Sequence, residues 1–232
     1  MIDVMTGGNK MEKVNVSSER NITLIMDFYE LTMSYNYFKL GKGDQIVYFD
    51  MFFRKNPDNG GFVIFAGLQQ LIEAIKDMRF TEGDIEYLRS LNIFAEDFLE
   101  YLSTFRFTGD IYAIPEGTVV FPRESLIKVI APIMQAQLVE TALLTIINHQ
   151  SLIATKTERI VHAAKGDGVM EFGLRRAQGA DAGTYGARAA MIAGCIGTSN
   201  VLCGKMFDVP VKGTHAHSWI MSFPDELTAF RT

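Results

Sequence analysis

"VMEFGLRRAQGADAGTYGARAAMIAGCIGTSNVLCGKMFDVPVKG" (Val169–Gly213) is the stretch whose reading decides the architecture. "VMEFG" reads as a short buried strand, and a Gly/Ala-rich helix follows from about Asp181 to Gly194. "SNVLCG" then reads as a second strand, "KMF" as a very short connection, and "VPVKG" as a third strand. Strand, helix and strand in quick succession is the pattern of βα units, and it implies a parallel sheet.

Upstream the pattern is different. Phe28, Leu31, Tyr35 and Phe38 recur every three or four residues, so Asp27 to about Leu40 is expected to be a helix ended by the Gly41–Gly43 turn. "QIVYFDMFFR" (Gln45–Arg54) and "GFVIFAG" are strand-like and flank the turn cluster "KNPDNGG", which predicts an antiparallel hairpin. Helical spacing covers Leu68–Met78, Thr81–Ser90 and Ala95–Thr104; short strands broken by Pro115–Gly117 and Pro122 follow. "LIKVIAP" (Leu126–Pro132) is an apolar strand running into a long helix, with Pro132 suited to its first turn. The expected domains are a mobile polar arm at 1–20, an antiparallel α+β N-terminal domain at 21–125, and the first part of an α/β barrel or layered sheet at 126–232. A closed eight-stranded barrel needs ~200 residues or more. The chain stops at "DELTAFRT", inside what reads as an acidic helix start, so it is expected to be a truncated product.

Bulk composition narrows the function classes. Hydrophobic content of 48% with 21% charged residues is that of a globular protein with a real core, among 232 residues. A net charge of −5 argues against a nucleic-acid binder held by phosphate contacts, though not against a small anionic substrate met by a local basic pocket. No apolar run approaches the ~18 residues of a membrane span, and no signal-peptide segment opens the chain. Cys195 and Cys203 lie in apolar surroundings without partners at ligand spacing, and read as buried free thiols. The expected location is the cytosol, with no membrane or nucleic-acid partner.

Three stretches can carry chemistry. "EFGLRRAQG" (Glu171–Gly179) sets Arg175 and Arg176 just beyond a strand, at the edge where α/β sheets bind ligands. Paired guanidiniums suit carboxylate or phosphate; the alternative is structural pairing with Glu171 or Asp181. "VKGTHAHSW" (Val211–Trp219) has the same placement, with hydroxyls on Thr214 and Ser218 and imidazoles on His215 and His217. A zinc site built on His215 and His217 needs one or two further ligands, which His149 and His162 do not evidently supply, so no metal site is expected. An imidazole beside an anion site suits acid–base or nucleophilic work. "IMDFYELTM" (Ile25–Met33) places Asp27 as a helix cap and Tyr29 as an aromatic that helical spacing alone would bury.

In this order, "DFYELTM", "INHQSLIATKTERI", "EFGLRRAQG", "SNVL" and "VPVKGTHAHSW" resemble the nicotinate phosphoribosyltransferases from about residue 22 to 232. The resemblance implies an α+β N-terminal domain packed on an irregular, TIM-like α/β barrel, here incomplete. It also implies an enzyme of NAD salvage. Nicotinate and 5-phosphoribosyl 1-diphosphate give nicotinate mononucleotide and diphosphate, with coupled ATP hydrolysis and Mg2+ accompanying the phosphate substrates. By motif, His217 corresponds to the histidine that ATP phosphorylates. Thr214 and Tyr29 correspond to nicotinate contacts, Tyr29 acting across a homodimer. Arg175 corresponds to an arginine for the anionic substrates, and Ser218 to a neighbouring donor. His215 takes the variable position of the motif and receives no role. Met26 stands where the family usually has Thr. The chain also ends before the later barrel strands, so on this reading the chain alone has little or no activity. The alternatives are a nicotinamide- or quinolinate-specific relative and a non-catalytic fragment.

Overall fold

The computed structural model describes residues 21–232; the arm expected at 1–20 lies outside the described residues. In chain order the elements begin with α1 (Phe28–Lys39), β1 (Ile46–Met51), β2 (Val63–Ile64), α2 (Leu68–Asp77), α3 (Glu82–Ser90) and α4 (Glu96–Ser103). Next come β3 (Asp110–Ala113), β4 (Val119–Val120), β5 (Ile127–Pro132), α5 (Ile133–Leu138) and α6 (Glu140–Ala163). The last are α7 (Ala180–Ile192), α8 (Val201–Phe207), α9 (His217–Met221) and α10 (Glu226–Arg231). Helix and sheet are mixed, and no described helix is long and apolar enough to cross a membrane.

The chain forms two compact units of interleaved segments. The first holds residues 21–52, Leu68–Ala113 and Ser125–Ile146; the second holds Phe53–Gly67, Ile114–Glu124 and Ile147–Thr232. These units do not follow a single division after residue 125, because β5 and α5 fold with the N-terminal helices.

In the first unit β5 is the central strand of an antiparallel sheet ordered β1-β5-β3, with Ile46 opposite Pro132 and Asp110 opposite Ile130. Ile127, Val129 and Ala131 alternate along β5 and are buried, as a period of two requires of a half-buried sheet. Aromatic spacing on α1 meets aromatic spacing on α4: Tyr35 lies 5.1 Å from Phe98, and Phe38 lies 5.6 Å from Phe98. Phe98 itself is fully buried, so these tilted ring contacts add to a large apolar burial. Thr81 opens α3 through a capping box with Asp84, as the "TEGD" reading requires.

The hairpin expected between Gln45–Arg54 and "GFVIFAG" does not form. Its two strands exist as β1 and β2, but they belong to different units and pair elsewhere, β1 with β5 and β2 with β4. The physical reason lies in the partners of β2. The Ile64 N–H donates to Thr155 Oγ1 at 2.9 Å and the Ala66 N–H to Ser151 Oγ at 3.1 Å, so hydroxyls of α6 serve the strand where a hairpin partner would. Ile64 and Ala66 then pack with Ala154 and Ala189 in the core of the second unit.

That unit is also held by a largely buried ion pair. Arg188 on α7 donates from Nη1 to Glu116 Oε1 at 2.8 Å and from Nη2 to Glu116 Oε2 at 2.7 Å, and reaches Gln150 Oε1 at 3.1 Å. The same carboxylate accepts from the Gly67 N–H, where the backbone takes the positive φ of 109° that glycine tolerates.

The stretch Val169–Gly213 keeps its parallel order but not all of its expected strands. Glu171, Thr198 and Val211 pair side by side in parallel as isolated bridges. Val169 and Met170 are only half-buried and Phe172 is exposed, so "VMEFG" is not a buried strand. "SNVLCG" turns from the single bridging residue Thr198 directly into helix α8. Asn200 caps that helix by accepting from the Cys203 N–H at 3.0 Å. Gly204 then lies so close to Val211 that a Cβ there would collide with it, so the glycine lets α8 pack against the Val211 segment.

Replacing Arg188 by Met should destabilise the chain by about 3–5 kcal/mol, because the largely buried Glu116 carboxylate loses its cation. Urea unfolding checks this, and a further Glu116→Leu change should recover most of the loss.

Candidate functional site

Four of the five candidate residues emerge from one edge of the parallel bridges. Thr198 donates its N–H to the Pro210 carbonyl at 3.0 Å and accepts from the Lys212 N–H at 2.9 Å. On its other side Glu171 donates to the Gly197 carbonyl at 2.9 Å and accepts from the Ser199 N–H at 3.0 Å. Because the strands are parallel, the segments that leave them emerge at the same end. Arg175 follows Glu171 at that end, and Thr214, His217 and Ser218 follow Val211. The Thr198 strand lies between the two.

Arg175 and Arg176 sit on a single 3-10 turn, Leu174–Arg176, and both are exposed. The alternative of pairing with Glu171 does not hold. That carboxylate accepts the Thr198 hydroxyl at 2.6 Å and the Gly173 N–H, and neither arginine is in ion-pair distance of a carboxylate among the described residues. Among the described residues these two guanidiniums meet no carboxylate, and a planar fork of donors is suited to an anion.

Thr214 is exposed in the loop before α9, and His217 is the first residue of that helix, followed by Ser218. The segment closes on itself. His215 meets the Phe230 ring edge-on at 5.4 Å, and the Trp219 indole donates to the Ala229 carbonyl at 3.0 Å. Asp225 caps α10, so the expected helix at "DELTAFRT" is present. The two imidazoles are therefore unlike: His215 packs on an aromatic ring, while His217 is exposed at the helix start. Among the described residues no three His, Cys, Asp or Glu side chains are grouped so as to hold a metal ion. Cys195 and Cys203 are free and buried; burial and the nearby Glu171 charge push the Cys203 thiol up to about 11.

The fifth candidate, Tyr29, belongs to the first unit. It is not core, being 44% exposed. Its hydroxyl donates to Glu140 Oε1 at 3.0 Å, and Gln137 Nε2 donates to the other oxygen of Glu140 at 2.6 Å. Partial desolvation and the Glu140 carboxylate push the phenol up to about 12. Asp27 stands at the N-cap position of α1 but makes no side-chain cap bond.

Beside Tyr29 lies a residue that periodicity did not reveal. Glu30 is fully buried, and its Oε1 accepts both the Thr141 N–H at 2.9 Å and the Thr141 hydroxyl at 2.6 Å. It thus satisfies a free amide in the first turn of α6, just where Val139 separates that helix from α5. Among the described residues its Oε2 has no partner, nor has Ser34 Oγ one turn further along α1. Burial, opposed by the Thr141 bonds and reinforced by Glu140 and Asp27, pushes the Glu30 carboxyl up to about 7.

A mixed helix-and-sheet chain whose parallel edge sets exposed guanidiniums at one end has the chemistry to meet an anion there. The family of the nicotinate phosphoribosyltransferase N-terminal domain matches residues 24–148, and the chain belongs to the nicotinate phosphoribosyltransferase family. It is 45% identical over 207 residues to a nicotinate phosphoribosyltransferase of Mycobacterium tuberculosis, covering 89% of this chain and 44% of that protein. It is 44% identical over 211 residues to the Bacillus subtilis nicotinate phosphoribosyltransferase, covering 91% of this chain and 43% of that one. The crystal structure of human nicotinic acid phosphoribosyltransferase superposes with a TM-score of 0.80 at 35% identity, over 85% of this chain and 40% of that one. The chain thus spans less than half the length of these relatives.

Because the folded carboxyl of Glu30 titrates above its unfolded value of 4.5, its stability contribution is complete below about pH 4.5 and is lost as pH rises through about 7. Denaturation midpoints should fall across that window by at most about 3 kcal/mol of stability, and Glu30→Gln should flatten the slope.

Proposed function

We propose that these residues carry part of a nicotinate phosphoribosyltransferase of NAD salvage. It joins nicotinate to 5-phosphoribosyl 1-diphosphate, giving nicotinate mononucleotide and diphosphate, with ATP hydrolysis coupled through a phosphohistidine. The observation that carries this reading is the parallel edge at Glu171, Thr198 and Val211, from which the free arginines and His217 emerge together.

On this proposal His217 is the phosphoryl acceptor. One imidazole nitrogen attacks the γ-phosphorus of ATP; the N–P bond forms as the bond to the bridging oxygen breaks, and ADP leaves with that electron pair. The phosphoimidazole is then lost to water. While present, its added charge and acceptor oxygens bias the site against the diphosphate product. Arg175 neutralises an anionic substrate group, with its planar fork of donors. Ser218 is a neighbouring donor, and Thr214 and Tyr29 contact nicotinate. Glycosyl transfer needs positioning of the ring nitrogen more than covalent help. Mg2+ is proposed as the counter-ion of ATP and 5-phosphoribosyl 1-diphosphate, held chiefly by their own oxygens. The barrel that residues 126–232 would open, the homodimer in which Tyr29 serves the partner's site, and the cytosolic location belong to the same proposal.

Incubation with γ-labelled ATP tests it. Acid-labile, base-stable label should appear on the chain, persist in His215→Ala and vanish in His217→Ala. Label that survives His217→Ala, or is lost with His215→Ala, would contradict the assignment.

A further inference from the structure

The Arg175 turn is pinned from both sides, and one of the pins is a carboxylate. Glu171 Oε1 accepts the Gly173 N–H at the start of the turn, and Oε2 accepts the Thr198 hydroxyl at 2.6 Å. The Thr198 hydroxyl oxygen in turn accepts the Asn200 N–H at 3.0 Å, so the bonds run from the cap of α8 through Thr198 into Glu171. Thr198 is fully buried, which makes each of these bonds costly to leave unmade. Gly173 has an ordinary φ of −84°, yet a Cβ there would stand 2.8 Å from Glu171 Oε1. Its glycine therefore leaves space for the carboxylate and is not needed for backbone freedom. On the other side a Cβ on Gly183 would meet Leu174 Cδ1 at 2.6 Å, so α7 presents a bare backbone on which Leu174 rests. Between these anchors Arg175 and Arg176 are exposed.

We propose that Glu171 is a positioning residue: it acts through the Gly173 N–H and the Thr198 hydroxyl to hold the turn on which Arg175 meets an anionic substrate. This rests on the reading of Arg175 given above. An acidic side chain four residues before an arginine would ordinarily weaken that arginine's hold on an anion by pairing with it. Here both carboxylate oxygens are engaged by neutral donors, and among the described residues the guanidinium has no carboxylate partner. Gln cannot replace it fully, since an amide offers one acceptor oxygen where two donors converge.

The test uses the chain itself with inorganic diphosphate as probe and calorimetry as readout. Arg175→Ala sets the scale of the arginine's contribution. Glu171→Ala should weaken binding about tenfold, Glu171→Gln and Thr198→Val less, and Gly173→Ala should resemble Glu171→Ala because it displaces the carboxylate. The decisive readout is the double variant. If Glu171 acts through Arg175, Glu171→Ala adds little once Arg175 is Ala; losses that simply multiply mean the residue supports folding only, and overturn the proposal. Glu171→Gln, which keeps shape and one acceptor, guards against loss of fold: a Gln variant that binds as well as the parent also overturns it. A parent chain that binds no diphosphate overturns the reading of Arg175 and this proposal together, whereas binding with multiplying losses overturns this proposal alone.

Discussion

Thr198 makes the bonds on which the proposed site depends. Its backbone serves one parallel neighbour, through Pro210 and Lys212, and its hydroxyl reaches the carboxylate of the other neighbour, Glu171. Bridges of one residue each form a weak sheet by length alone, and parallel pairing is the less stable kind per residue. A buried hydroxyl with both its donor and its acceptor role filled compensates for that shortness. Two segments well separated in sequence leave this small frame at the same end, one carrying guanidiniums and the other an imidazole.

Charge is distributed accordingly. The chain as a whole is acidic, with a net charge of −5, yet its exposed strand edge carries two arginines that meet no carboxylate among the described residues. In the other unit the acids gather. Glu30, Glu140 and Asp27 surround the Tyr29 end of α1, and their mutual repulsion together with burial holds Glu30 near the point of protonation at neutral pH. Arg188 and Glu116, by contrast, form a short bidentate pair that joins a loop to a helix within one unit. Three acid groups thus meet three fates: paired with a cation, tied to neutral donors, or pushed toward neutrality.

Much of this was legible in the sequence, for reasons that differ by element. Helices α1 to α4 have local signals: apolar residues at three and four, a capping box at Thr81, and turns beyond the ends. The expected β1 hairpin does not form because strand pairing is not local, and the true partner of β1 lies beyond α2, α3 and α4. "SNVLCG" was misread as a strand because a short apolar run does not distinguish strand from helix; the Asn200 cap and Gly204 were the available cues. Arg175, Thr214, His217 and Ser218 stand out as candidates in the sequence because each follows a strand-like segment in a recognisable motif, and the structure shows where they lie. Glu140 and Thr141 were not found, since their bonds to α1 span 111 residues, and no periodicity announces a contact of that separation. Glu171 was seen only as a potential partner for arginine, because a carboxylate's actual donors depend on the fold.

The central claim is that one parallel edge, centred on Thr198, presents the Arg175 turn and the His217 segment to a common anion. Backbone amide spectra of the chain, titrated with inorganic diphosphate, test this most directly. The account predicts that residues 173–176 and 213–218 shift together along a single binding curve. Shifts confined to one of these segments, or two segments following different curves, would contradict it.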